Sequence, residues 1–355
     1  MSGNLSHQIE HHFYPDIPAN RYAAIAVEVK EICARYGVYY YPIISSARAF
    51  RALWKRSYHK FRDGLGAVVY VDPWLAGGHN GLSNAEDPRQ PEPPLPRIIE
   101  LRKQMNEFGL QTTPIVMAGG VWFLREWNDW IDNPELGKIA FQFGTRPLLT
   151  QESPIPQIWK DLLRTVEPGD VLLHKFSPTG FYSSAVKTPF LYDLMHRSER
   201  QVPYFKRGVE DGTVQLGEDG KARSFWVKPE DKAKAEMWMR AGHTEPLKTP
   251  DDTIVFVTPE ARDTIRKDQQ DCMGCLSHCG FSSWKDHDDY TTGRLADPRS
   301  FCIQKTLKAN VHGEDIDQNL MFAGHAAHNF RTDPFYSNNF TPTVKQLVDR
   351  ILTGD

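Results

Sequence analysis

Three short apolar runs, each followed by glycine, constrain this 355-residue chain more than any other feature. Ala67-Val68-Val69-Tyr70-Val71 leads to Gly77-Gly78, Pro114-Ile115-Val116-Met117-Ala118 ends in Gly119-Gly120, and Ile139-Ala140-Phe141-Gln142-Phe143 ends in Gly144-Thr145. Runs of this length without polar alternation read as strands buried on both faces, the mark of a parallel sheet. Parallel neighbours need a crossover, and a helical pattern follows each run. The spacing predicts consecutive βα units, the repeat of barrels and doubly wound sheets. After the second strand, Phe123, Trp127 and Trp130 fall at i, i+4 and i+7, an aromatic stripe read as core.

Around this centre the character changes. Residues 1–45 carry a turn at Pro18-Ala19-Asn20 and a helical pattern through Ile25, Val29, Ile32 and Cys33, ending near Tyr36-Gly37. Residues 46–62, basic from Arg48 to Arg62, are expected as a linker. The proline-rich stretch from Asn84 to Pro94 is expected as a loop. The βα grammar covers residues 63–204, and residues 205–355 read as an irregular α+β extension. There Glu218-Asp219-Gly220 looks like a hairpin turn, and a strand at Ile254–Val257 runs into the helix start Thr258-Pro259-Glu260.

Lys and Arg total 42 against 45 Asp and Glu, a net charge of −3, so no basic footprint for nucleic acid exists. No apolar run approaches the roughly 18 residues of a membrane-spanning helix. The first residues lack the basic and apolar regions of a signal peptide, so the expectation is a cytoplasmic protein whose triplets at Asn4 and Asn339 stay unglycosylated.

Glycine at a strand's carboxyl end lets the main chain approach oxygen atoms closely, and barrel loops there commonly bind phosphate through backbone N–H groups. Gly119-Gly120 and Gly144-Thr145 fit that role, with the Thr145 hydroxyl as an extra donor. In Ala76-Gly77-Gly78-His79-Asn80-Gly81 the imidazole sits on little-hindered backbone, and its near-neutral pKa suits proton transfer. Phe176-Ser177-Pro178-Thr179-Gly180-Phe181-Tyr182-Ser183-Ser184 offers hydroxyls to a cavity rim. His325 and His328 read as surface or capping residues.

Ala76-Gly77-Gly78-His79, Ala118-Gly119-Gly120 and Phe143-Gly144-Thr145-Arg146 with Thr150-Gln151-Glu152-Ser153 resemble, in that order, the second half of the nitronate monooxygenase family. The likeness continues through Gly274-Cys275-Leu276-Ser277, Thr292-Gly293-Arg294 and Met321-Phe322-Ala323-Gly324-His325. It implies the last three βα units of a TIM barrel, an α/β fold, FMN as cofactor, and oxidation of a small alkyl nitronate by dioxygen to a carbonyl compound and nitrite. It also implies His79 as the catalytic histidine, and Gly119, Gly120, Gly144 and Thr145 around the FMN phosphate, with Gln142 beside the cofactor. The family's leading strands have no counterpart ahead of Ala67, and three strands cannot close a barrel. A non-catalytic fusion fragment is therefore the alternative, and a flavin reductase with an iron–sulfur centre is another.

Asn4-Leu5-Ser6-His7-Gln8-Ile9-Glu10-His11-His12 resembles the last histidine box of membrane fatty acid desaturases, in which Gln8, His11 and His12 would lie at a di-iron centre. The remaining boxes and the membrane helices of that family are absent, so residues 1–45 read as a severed tail. Cys272, Cys275, Cys279 and Cys302 form CxxCxxxC plus a distant fourth thiol, a pattern open to zinc, to an iron–sulfur cluster or to plain structural cysteines.

Overall fold

A computed structural model describes residues 22–205, 212–216, 224–272, 279–282, 295–313 and 315–355. The chain divides into two compact units. The larger comprises residues 30–175, 181–188 and 308–355, and the other takes the remainder, including 176–180 and 189–307. Helix α1 (Tyr22–Arg35) takes up the helical pattern expected ahead of Gly37, where φ is +63°.

The larger unit is built on a four-stranded parallel sheet, in the order β1 (Ile43–Ile44), β2 (Val68–Val71), β4 (Ile115–Ala118), β5 (Ile139–Gln142). The three expected strands are present and parallel, with Val68 opposite Ile115 and Ile115 opposite Ile139. A fourth, β1, precedes them, pairing Ile43 with Val69. Two residues are too few to leave a periodic signal. Closure into a barrel is not seen among the described residues, where β1 and β5 are the sheet's ends.

Residues 46–62, expected as a linker, hold helix α2 (Ala47–Arg56). Ser46 accepts from the Ala49 N–H and caps it, while Phe50 and Trp54 are buried against the sheet. Helix α3 (Pro94–Glu107) begins where the proline-rich loop ends, with proline pre-set for the first turn, and buries Ile98, Leu101 and Met105. Arg102 of α3 is buried too, donating to the carbonyls of Leu136, Thr113 and Lys138 at 2.6, 2.9 and 3.0 Å. Trp127 and Trp130 are core, as the stripe predicts, but in a 3₁₀ segment, Leu124–Trp130, where residues three apart eclipse.

A second sheet of this unit is antiparallel, in the order β3 (Gly78–His79), β7 (Ser183–Val186), β6 (Val171–His174). The expected glycine turn at Gly77-Gly78 is therefore partly strand: only Gly78, at φ +69°, keeps turn geometry while pairing with Ser184. A second core lies around Trp122, Trp159 and Phe330, bringing helix α4 (Gln157–Thr165) onto the C-terminal segment.

The other unit contains helix α5 (Pro189–Arg197), the sheet β11 (Glu245–Lys248), β12 (Thr253–Val257), β8 (Gln201–Pro203), and the antiparallel pair β9 (Val214–Leu216) and β10 (Phe225–Val227). Residues 218–220, expected as a turn, lie outside the described residues; the strands that flank them pair antiparallel. Helix α6 (Pro229–Arg240) packs Ala235 against Val202, Val227 and Phe256. Helix α7 (Pro259–Gln270) starts at the expected Thr258 cap, whose hydroxyl accepts from the Ala261 N–H.

Candidate functional site

The carboxyl ends of β2, β4 and β5 lie side by side, the edge at which α/β sheets bind ligands. After β2 the chain turns at Asp72, whose Oδ1 accepts from the N–H groups of Trp74 and Leu75, both at 2.9 Å. The turn lays Leu75 and Ala76 against the next corner. A Cβ on Gly119 would stand 2.9 Å from the Ala76 N and Cβ, and one on Gly120 would stand 2.8 Å from Leu75 Cδ1. Both have positive φ, +97° and +75°. Close approach and left-handed backbone each require glycine here. Gly144 differs: nothing lies within 4 Å of where its Cβ would be.

The segment Phe322–His325 joins these corners. Its Gly324 N–H donates to Thr145 Oγ1 at 2.9 Å, and the His325 N–H donates to the Leu75 carbonyl at 3.0 Å. Gly77 meets it so closely that a Cβ would lie 2.5 Å from the Ala323 carbonyl carbon. Behind Thr145, the buried Arg146 donates to the Trp122 carbonyl at 2.8 Å and pairs with buried Asp333 at 3.7 Å, fixing the corner from below. Gln142 ends β5, exposed and opposite Ala118.

His79 follows on β3. Its ring centroid lies 5.8 Å from that of Phe322. The imidazole is solvent-exposed on one side, yet the protein crowding it elsewhere holds its pKa below the ordinary value. Ser183 stands directly between His79 and His174 across the three strands, so the three side chains share a face.

The opposite face carries a chain of polar groups. Asn80 Nδ2 donates to Ser184 Oγ at 3.4 Å, and Ser184 Oγ lies 3.4 Å from His325 Nε2. Burial pushes the His325 imidazole down, with His328 adding repulsion. His325, expected as a surface or capping residue, thus reaches the site. The signal was present in Ala323-Gly324-His325, a histidine on a glycine as at Gly78-His79. Ser183 and Ser184, expected at a cavity rim, are fully buried within β7. Asp72 was missed altogether. It is fully buried, burial raises its carboxyl pKa against the pull of the Leu75 and Trp74 N–H groups, and its Oδ2 has no hydrogen-bond partner.

Cys272 and Cys279, with Cys302, line one cavity in the other unit, whereas Cys275 lies outside the described residues, as do Gln8, His11 and His12. Among the described residues, no three His, Cys, Asp or Glu side chains stand at metal-ligating separations. No helix among them is long and apolar enough to cross a membrane.

Comparison with known proteins finds two unrelated likenesses. The fatty acid desaturase family matches residues 1–43. The NADPH-dependent stearoyl-CoA 9-desaturase of Mycobacterium tuberculosis is 62% identical over 40 residues, covering 11% of this chain and 9% of that protein. Fatty acid desaturase 3 of Homo sapiens is 46% identical over 40 residues, again 11% and 9%. The desaturase resemblance read from the N-terminal histidines is thus borne out at that end, and the chain spans under a tenth of these relatives. Among solved structures, FabK from Thermotoga maritima aligns with 91% of this chain and 62% of its own at 14% identity and a TM-score of 0.44. A point mutant of the same FabK aligns likewise, at 14% identity, a TM-score of 0.43, and 92% and 62% coverage.

Proposed function

We propose that the chain is an FMN-dependent oxidoreductase of nitronate monooxygenase type, acting on a small nitronate with dioxygen. The observation that supports this most is the convergence on Phe322–His325 of three parts predicted separately: the His79 strand, the corner after β5 and, through Leu75–Ala76, the corner after β4. The backbone suits FMN. Gly144 leaves open room, and the Thr145 hydroxyl, already accepting from Gly324, keeps its own proton to donate. Main-chain N–H groups of Gly119, Gly120 and Gly144 would hold the phosphate, with Gln142 on the same edge. Bound FMN would supply the redox chemistry, taking an electron pair from the substrate and delivering it to dioxygen. The protein's part is position and proton handling. With its pKa lowered, His79 is neutral at pH 7 and can accept a proton beside the reacting carbon.

The test is to equilibrate the full chain with FMN, remove free flavin by gel filtration, and follow oxidation of an alkyl nitronate. The wild type should retain flavin and turn over, and His79→Gln should retain flavin while turnover falls by about 10²–10⁴-fold. Loss of all flavin from the wild type would sink the reading. It would favour a non-catalytic fragment instead, a second reading supported by the sheet that ends, among the described residues, at β1 and β5.

A further inference from the structure

The basic stretch that follows the N-terminal segment has no part in the flavin site. Residues 32–62 hold seven Lys and Arg and no Asp or Glu, in a chain whose net charge is −3. Six of those cations lie from Arg48 to Arg62, and all six are exposed. Helix α2 buries Phe50 and Trp54, so Arg48, Arg51 and Lys55, at i, i+3 and i+7, form an outward stripe with Arg56 at its end. Lys60 and Arg62 follow in the 3₁₀ segment Tyr58–Gly64. Arg51 donates to Gln104 Oε1 at 3.3 Å and Arg62 to the Gly109 carbonyl at 2.5 Å, both neutral partners. Among the described residues, none of the six joins an ion pair. Aromatic side chains stand beside these charges. Segment 38–44 runs along the 3₁₀ turn, where the Tyr40 N–H donates to the Gly64 carbonyl at 2.9 Å and its hydroxyl to the Tyr58 carbonyl at 3.2 Å. Pro42 is buried and Tyr40 half-buried, and the alternation leaves Tyr39, Tyr41 and Ile43 outward, 57, 53 and 65% exposed.

We propose that this basic and aromatic surface docks on the headgroups of an anionic lipid bilayer, without crossing it. Charge complementarity selects the partner: a cluster of Lys and Arg on one helix face is drawn to acidic headgroups. The apolar side chains favour a bilayer over a nucleic acid. Tyrosine rings settle at headgroup level and Ile43 can reach the acyl boundary, whereas an aliphatic side chain has no counterpart on a phosphate backbone. The acidic remainder of the chain offers little opposition, because charges more than about 8 Å from the lipid are screened at physiological ionic strength. The inference is independent of the flavin reading, because none of its residues is assigned to cofactor or substrate.

The experiment is co-sedimentation of the full chain, without added flavin, with phosphatidylcholine vesicles carrying about 30% phosphatidylserine. The chain should pellet with these vesicles at low ionic strength and stay in solution with vesicles of phosphatidylcholine alone. Most of it should be released at about 1 M salt, where screening shortens to roughly 3 Å. Each cation at the surface is worth roughly fivefold in affinity, so Arg48→Gln, Lys55→Gln and Arg56→Gln together should weaken binding about a hundredfold. Tyr39→Ser with Tyr41→Ser should weaken it at least about fivefold at fixed salt. Arg266→Gln, Lys267→Gln and Lys308→Gln, which remove three exposed cations elsewhere, should leave binding unchanged. Circular dichroism checks that each variant folds. Wild type that does not pellet with the anionic vesicles, or a triple variant at Arg48, Lys55 and Arg56 that binds as wild type does, would overturn the proposal. So would tighter binding to single-stranded DNA than to these vesicles at the same salt, which would make a nucleic acid the partner.

Discussion

Asp72 combines a structural duty with an electrostatic cost. Its Oδ1 builds the turn after β2, while its other oxygen is buried without a partner. The folded pKa is raised, so the protonated form is favoured: the stabilisation is complete below the unfolded value of 3.8 and is lost as pH rises through the folded pKa. Asp72→Asn keeps an acceptor for both N–H groups and removes the charge. The variant should be at least as stable as wild type at pH 7 and less stabilised on acidification, which chemical denaturation at pH 4 and pH 7 would measure. His79 and His325 run the opposite way. Both pKa values lie below the ordinary 6.5, so the unfolded chain binds more protons, and stability falls as pH drops through 6.5 toward the folded values. Thermal melts should show this loss between about pH 7 and pH 5, shallower in His325→Gln. A histidine's place on glycine is visible in the chain; that 141 residues separate His325 from Ser184, which lies 3.4 Å away, is not.

At the scale of elements, the corners after β4 and β5 are predicted to differ. Gly119→Ala meets both positive φ and the Ala76 backbone, and should cost roughly 1–3 kcal/mol. Gly144→Ala has open space and no left-handed backbone, so its stability should stay within about 0.5 kcal/mol of wild type. Comparable losses in the two variants would refute this account of the corners. Helix α3 carries a stronger dependence. Arg102→Met would strand the carbonyls of Leu136 and Thr113, each costing roughly 1–3 kcal/mol if water stays out, while Lys138 keeps the Ile115 N–H, so a loss near 3 kcal/mol is expected in urea unfolding. The apolar runs announced β2 and β4 because a strand buried on both faces needs apolar residues at every position, whereas β5, at the sheet's end, turns Ala140 and Gln142 to solvent. Two-residue β1 and β3 carry no such pattern. They exist because β2 and β7 offer them partners, and His79 meets Ser183 from 104 residues away.

For the whole molecule, the sheet's ends matter most. Ile43 in β1 is 65% exposed, and Ala140 and Gln142 in β5 also face solvent. Strand edges of this kind template pairing with further strands. Raising the concentration should therefore drive self-association, and Ala140→Lys, a charge on the edge, should suppress it in light scattering. A chain that remains monomeric throughout, with no effect of the lysine, would show that these edges are not sticky.

Much of this protein follows from short-range rules acting on consecutive residues. Steric limits on φ, strand periodicity and helix caps determine the parallel strands, the glycines after them, the loop before Pro94 and the Thr258 cap. The same local reading finds the desaturase-like N-terminal histidines and the spaced thiols. What only the tertiary structure decided is which groups meet: Phe322–His325 laid across the corners, Asp72 sealed from water, the linker folded as α2, and Cys302 brought to Cys272 and Cys279. The reason is physical. Such encounters depend on chain crossings and burial spread over the whole fold, with each unit assembled from segments far apart along the chain, and no window of neighbouring residues records them.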